Sequence, residues 1–160
     1  MTFPTGNAKI FIDDETVTKF FNTRQYQDPF YRVTYDYNPL LDLQGIPSVP
    51  KLYEYKRNVF VIMERCGGTL WSNLSAEEEQ TVKEWLLLAL HEHYCACIYQ
   101  GWVPQDVQKE HVFLNLEKHT IKIIDYGRYL SSIDPNYKMM DYSLEEWLEF
   151  SKNKIRHFFE

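Results

Sequence analysis

Cysteine is scarce in this chain of 160 residues, with only Cys66, Cys95 and Cys97. An odd set without C-x-x-C spacing argues against a disulfide framework and predicts reduced, buried thiols in a cytosolic protein. Cys95 and Cys97 stand two apart in a helical pattern, where they point in different directions and share no metal. Long apolar runs are missing too. The longest is far too short to span a bilayer, and no signal peptide is visible, so no membrane association is expected. Long basic runs are also missing, and the net charge of −6 argues against nucleic acid as the main partner. There are no internal repeats and no low-complexity tract. What is plentiful is apolar and aromatic material, 44% and 16% of the chain, enough for one compact domain or two small lobes sharing an interface.

The informative stretch is Gly101 to Tyr129, GWVPQDVQKEHVFLNLEKHTIKIIDYGRY. It contains two apolar runs, His111–Leu116 and Thr120–Ile124, rich in the β-branched and aromatic residues that favour strands. The polar Glu117-Lys118-His119 between them predicts a β-hairpin. Asp106 lies in the loop before the hairpin and Asp125 at its exit. A hairpin returns to its starting end, so the two carboxylates can face a common site. Such a pair suits a metal–phosphate centre or an acid/base couple. Two ordinary turn aspartates beside a surface hairpin are the alternative.

This constellation resembles the catalytic core of the protein-kinase superfamily, H-R-D-x-x-x-x-N, a strand pair, then D-F-G. Here it reads Pro104-Gln105-Asp106, four residues, His111, the strand pair, then Asp125-Tyr126-Gly127. Both aspartates are kept; the His, the Arg and the Asn of the pattern are not. The fold implied is α+β, a minimal two-lobe kinase-like arrangement. Residues 1–64 would form a β-rich N-lobe lacking its first strand, and residues 65–160 a short, mainly helical C-lobe carrying the catalytic hairpin.

The rest of the chain follows that order. Met1–Gly6 reads as a loose start, then Ala8–Ile12 and Thr16–Phe21 as strands joined at Asp13-Asp14-Glu15. Lys19 shares a strand face with Val17 and Phe21. It is either an edge-strand lysine that blunts aggregation or, as the resemblance of Val17-Thr18-Lys19 to V-A-I-K implies, the lysine of the α/β-phosphates. Gly6-Asn7-Ala8 resembles the tail of the glycine loop. Asp28-Pro29 predicts a helix start, running to about Tyr37 and interrupted at Asn38-Pro39. No glutamate lies between Lys19 and Glu54. The lysine's helix partner would then be Asp36, with Asp42 the second choice.

A proline-punctuated linker, Leu43 to Pro50, leads to strands Lys51–Tyr55 and Asn58–Met63. The segment after them resembles the kinase inter-lobe connection. Met63 would sit at the back of the nucleotide pocket, and Glu64 and Cys66 would flank adenine through their main chain. Ser75 and Glu78 form a capping box before a helix to about Tyr99, apolar nearly all round and so predicted buried; His91 and His93 read as helix-face residues. After Gly127 come a loop through Asp134-Pro135-Asn136 and a second capping box, Ser143 and Glu146, opening an amphipathic helix. No A-P-E motif appears. The pattern is similar to minimal atypical kinases, the RIO group and the small kinase of the tRNA-threonylcarbamoylation complex.

Two functions lead from the sequence, ahead of a small-molecule phosphotransferase or an unrelated α+β domain. One is an ATP-dependent enzyme phosphorylating a protein Ser or Thr. Lys19 would hold phosphates, Asp125 and His111 would ligate Mg²⁺ or Mn²⁺, and Asp106 would act as base. Imidazole suits Mn²⁺ better than Mg²⁺. The other is a pseudokinase serving as a protein-interaction module.

Overall fold

The computed structural model describes residues 2–4, 8–21, 37–131 and 143–160. Asp36, the helix start at Asp28-Pro29, Gly6-Asn7 and the Asp134-Pro135-Asn136 turn lie outside the described residues.

Five strands form an antiparallel sheet in the order β1-β2-β3-β5-β4: β1 (Thr2–Pro4), β2 (Ala8–Ile12), β3 (Thr16–Phe21), β4 (Leu52–Lys56) and β5 (Phe60–Glu64). The first of these corrects the sequence reading, which placed no strand before Ala8. Three residues suffice, because Thr2, Phe3 and Pro4 register against Phe11, Ile10 and Lys9 on an already formed strand. Alternation along β3 puts Val17, Lys19 and Phe21 on one face, opposite Met63 and Val61 of β5. That face closes on helix α1 (Tyr37–Leu43), whose Tyr37 ring lies 5.9 Å from Phe21 and whose Leu40 and Leu43 are fully buried. Asn38-Pro39 falls in the first turn of α1, which begins where the helix expected from Asp28-Pro29 was to end. A proline there removes only an N–H that has no helical acceptor.

The second half is built on helix α2 (Ala76–Tyr99). Its capping box is complete. Ser75 Oγ accepts the Glu78 N–H at 3.1 Å and Glu78 Oε1 accepts the Ser75 N–H at 3.0 Å. The helix is not buried all round. Val82, Leu86, Leu90, Tyr94 and Cys97 are inside, while Leu88 and Tyr99 are 63% and 66% exposed. One side of α2 meets the second hairpin strand, Thr120–Ile123, and another meets helix α3 (Leu144–His157). The aromatic pair after α3, Phe158 and Phe159, packs against the fully buried Trp71. Strand β6 (Thr69–Leu70) pairs with β8 (Val112–Asn115), which forms the hairpin with β9 (Thr120–Ile123); β7 (Trp102–Val103) pairs with β10 (Leu130–Ser131). The cysteines are free thiols, Cys66 and Cys97 buried and Cys95 half-buried. Among the described residues no helix is long and apolar enough to cross a membrane.

His93 departs from the helix-face expectation: it is 1% exposed inside the core. Its Nδ1 lies 2.6 Å from Ser48 Oγ and its Nε2 lies 2.9 Å from the Tyr129 hydroxyl. Burial disfavours the charged ring and pushes its pKa down from 6.5 to about 3. The unfolded chain therefore binds this proton more readily than the folded one. The contribution is complete above the unfolded value and is lost as pH falls from there toward the folded value. Urea unfolding should show His93 costing stability at about 1.4 kcal/mol per pH unit below pH ~6.5. His93→Gln should remove that component of the slope; an unchanged slope in the variant would contradict the assignment.

Gly68 carries φ +104, and a Cβ there would run into the Leu114 carbonyl of β8. Gly67 has open space. Gly68→Ala should cost about 2–4 kcal/mol in thermal or urea unfolding, from left-handed backbone and overlap with a strand. Gly67→Ala should cost about 1 kcal/mol or less, and equal losses would contradict the packing described.

Candidate functional site

The hairpin brings its two ends together through backbone. The Ile124 N–H donates to the His111 carbonyl at 2.9 Å, so Asp125 emerges beside the residue that opens the hairpin. Asp106 and Asp125 both sit in the left-handed region, at φ +57 and +71. Aspartate tolerates that conformation better than most residues, yet it still costs on the order of 1 kcal/mol, and such positions cluster at functional sites. Both bends turn a carboxylate out of the chain direction at the same end of the hairpin.

Three of the residues singled out in the sequence converge directly. Lys19 Nζ lies 3.8 Å from Asp125 Oδ1 and His111 Nε2 lies 3.5 Å from Asp125 Oδ2. Lys19 and His111 are mostly covered, at 14% and 16% side-chain exposure, whereas Asp125 is 39% exposed and reachable from solvent. Asp106 joins them through His111, whose Nδ1 is 3.2 Å from the Asp106 carbonyl. A carbonyl only accepts, so Nδ1 carries the proton in that bond; in a neutral ring Nε2 would face Asp125 with its lone pair, and in a charged ring it would donate to the carboxylate. Two electron-rich atoms facing each other are stable only with a proton or a cation between them. This pair therefore accommodates either a proton, as a His–Asp ion pair, or a divalent cation. Among the described residues no cluster of three or more His, Cys, Asp or Glu forms a self-sufficient metal cage.

The Asp106 carboxylate has its own partners, which the sequence reading missed. Gln108 Nε2 donates to Oδ1 at 2.8 Å, and Arg128 Nε stands 3.6 Å from Oδ2. Arg128 follows the Asp125-Tyr126-Gly127 turn immediately, a proximity that a search for the H-R-D arginine overlooks. Lys109, which follows Gln108, turns away from the site. It pairs with Glu79 Oε2 at 2.9 Å, an oxygen that also accepts from Trp71 Nε1 at 3.0 Å. Burial works against the Glu79 charge, but these two bonds hold its carboxyl below the usual range and fix the short turn Lys109–His111 to α2. The second choice for a lysine partner, Asp42, is elsewhere: it accepts from Trp102 Nε1 at 2.8 Å. The hydrogen bond spans 60 residues, so spacing along the chain carried no sign of it.

On β5, Met63 is buried opposite Val17 of β3. Glu64 Oε1 accepts the Lys51 N–H at 3.0 Å and lies 3.4 Å from Lys122 Nζ, which also reaches the Val49 carbonyl at 3.3 Å. Lys122 was another missed residue. Its strand position alternates with the buried Ile121 and Ile123, which pointed it away from the C-lobe core. The Arg65 N–H bonds the Glu15 carbonyl at 2.9 Å and its guanidinium the Asp13 carbonyl at 3.0 Å, tying the connection to the β2–β3 turn. Burial first, and the nearby Glu64 charge second, push the Cys66 thiol up to about 12. The thiol therefore stays protonated and unreactive at neutral pH. No backbone carbonyl among the described residues takes the Cys66 N–H. A separate groove of about 620 Å³ lies between α2 and α3, lined by Leu87, Ile155 and Phe159, and contains none of these groups.

No known family profile matches the sequence, and no curated protein matches it. Solved structures do. The chain superposes on WbdD, described as a bifunctional kinase-methyltransferase, with a TM-score of 0.63 at 19% identity, over 99% of this chain and 35% of that one. It superposes on the Rio2 kinase of Chaetomium thermophilum, solved as an ADP/Mg²⁺-phosphoaspartate complex, with a TM-score of 0.62 at 16% identity. That match covers 100% of this chain and 54% of the kinase. The chain thus spans roughly a third to a half of the length of these structures. A small antiparallel sheet, an inter-lobe connection, a long central helix and a hairpin flanked by two aspartates make this a protein-kinase-like fold.

Proposed function

We propose that the chain binds ATP with Mg²⁺ or Mn²⁺ between an N-lobe, residues 1–64, and a C-lobe, residues 65–160, and transfers the γ-phosphoryl group to a Ser or Thr hydroxyl of a partner protein. The observation that carries this reading is the meeting of Lys19, His111 and Asp125 around one carboxylate, with Asp106 linked to it through His111. Lys19 places a positive charge where the α- and β-phosphates would lie. Asp125 and His111 would hold the divalent ion, which supplies charge neutralisation at the phosphate oxygens. Glu64 and Cys66 would meet the adenine edge through backbone groups, with Met63 behind it. Asp106 would orient the acceptor hydroxyl and take its proton as the oxygen bonds the γ-phosphorus and the bond to the leaving ADP breaks. The kinase structures that share the fold support this reading by analogy of architecture.

One observation favours a second reading, a pseudokinase that binds nucleotide and a protein partner without turnover. Both Asp106 carboxylate oxygens are already engaged, by Gln108 and Arg128. The acceptor hydroxyl must displace at least one of them.

Isothermal titration should show ATP binding that strengthens with Mg²⁺ or Mn²⁺. Asp125→Ala should weaken it more than Lys19→Ala does. The same ATP affinity with and without metal, unaltered in Asp125→Ala, would rule the metal site out.

Phosphate transfer to a generic acceptor protein should fall about 10²-fold or more in Asp106→Asn, with ATP affinity nearly unchanged, as for loss of a general base. An unchanged rate would return Asp106 to an ordinary turn residue. Nucleotide binding without transfer in the wild type would select the pseudokinase.

A further inference from the structure

Asp125 is held at φ +71, and the backbone on either side of it is tied down. Before it, the Ile123 N–H donates to the Ser48 carbonyl at 2.9 Å and the Ile123 carbonyl accepts from the Tyr126 hydroxyl at 2.8 Å. After it, the Tyr129 N–H bonds the Tyr126 carbonyl at 3.2 Å, and the Tyr126 and Tyr129 rings pack with centroids 4.6 Å apart. His93 is the group common to both flanks. Its Nδ1 meets Ser48 Oγ at 2.6 Å and its Nε2 meets the Tyr129 hydroxyl at 2.9 Å. All three side chains are buried, with His93 and Tyr129 at 1% exposure.

A neutral imidazole has one donor and one acceptor, and each hydroxyl can play either part. Both ring nitrogens are therefore satisfied in either tautomer, without a charge in the core. An aliphatic side chain would fill the volume but would leave both hydroxyls without this partner. We propose that His93 is a positioning residue for Asp125. It clamps the linker at Ser48 to Tyr129 and thereby keeps the Asp125-Tyr126-Gly127 turn in the strained form that presents the carboxylate to Lys19 and His111. This rests on the reading of Asp125 as the metal ligand.

The test compares Tyr129→Phe, which deletes only the hydroxyl, with Ser48→Ala, His93→Leu and His93→Gln. Two quantities are read: the gain in ATP affinity on adding Mg²⁺, and peptide-level hydrogen exchange over residues 123–130 without nucleotide. Tyr129→Phe and His93→Leu should cut the metal-dependent gain about tenfold, the scale for losing a partner that orients a ligand. Metal-free ATP affinity should stay within about twofold. Exchange over 125–130 should quicken roughly fivefold while the β8–β9 peptides stay protected. His93→Gln, which keeps a donor and an acceptor, should recover most of both effects. A lowered melting temperature with unchanged metal gain and unchanged local exchange would reduce the network to packing and overturn the proposal. If His93→Leu does not fold, Tyr129→Phe and Ser48→Ala decide by the same two criteria. If the wild type shows no metal-dependent gain, the proposed function fails. The exchange data then judge the clamp alone, and unchanged exchange in Tyr129→Phe overturns it.

Discussion

One backbone hydrogen bond, from Ile124 N–H to the His111 carbonyl, closes the hairpin at its open end and sets the geometry of the whole site. It makes the start and the finish of β8–β9 neighbours. His111 and Asp125, 14 positions apart in sequence, thereby come within 3.5 Å. Asp106 and Asp125, both with left-handed backbone, stand at this same end of the hairpin. Lys19, from the other half of the molecule, completes the group only because β3 is held in register against β5.

That register has to be maintained across the inter-lobe connection, and polar contacts do much of it. Glu64 stands at the end of β5 and is joined to the linker at Lys51 and to β9 through Lys122. Ser48 uses its carbonyl on β9 and its hydroxyl on His93 of α2. The linker between α1 and β4 is therefore a common anchor for the sheet, the hairpin and the central helix. Partly buried bonds of this kind each contribute about 1 kcal/mol net. Their value here is positional, because they fix where the lysine of one lobe stands against the carboxylates of the other.

The parts of the fold legible in the sequence were those governed by local rules. Both capping boxes formed where Ser-x-x-Glu stood before an apolar run, and the hairpin followed β-branched runs around a polar turn. Lys19 was noticeable because a lysine alternating with valine and phenylalanine is out of place on a buried strand face. What was not legible depended on contacts between distant positions. His93 on a helix gave no sign that Ser48 and Tyr129, 45 and 36 residues away, would enclose it. Asp42 looked available until Trp102 claimed it, and Arg128 became a partner of Asp106 only through the turn after Asp125. The short strand Thr2–Pro4 lacks the alternating pattern that marks longer strands and is held by pairing with β2.

Asp125 and His111 are proposed to hold a divalent ion jointly against a nucleotide. Pulsed electron paramagnetic resonance of the protein with Mn²⁺ and ATP tests it most directly, because an imidazole nitrogen bound to manganese modulates the echo. Nitrogen modulation together with phosphorus coupling is expected in the wild type, with the nitrogen signal vanishing in His111→Ala and manganese binding itself weakening in Asp125→Ala. Phosphorus coupling with no nitrogen signal, identical in the wild type and His111→Ala, would contradict it.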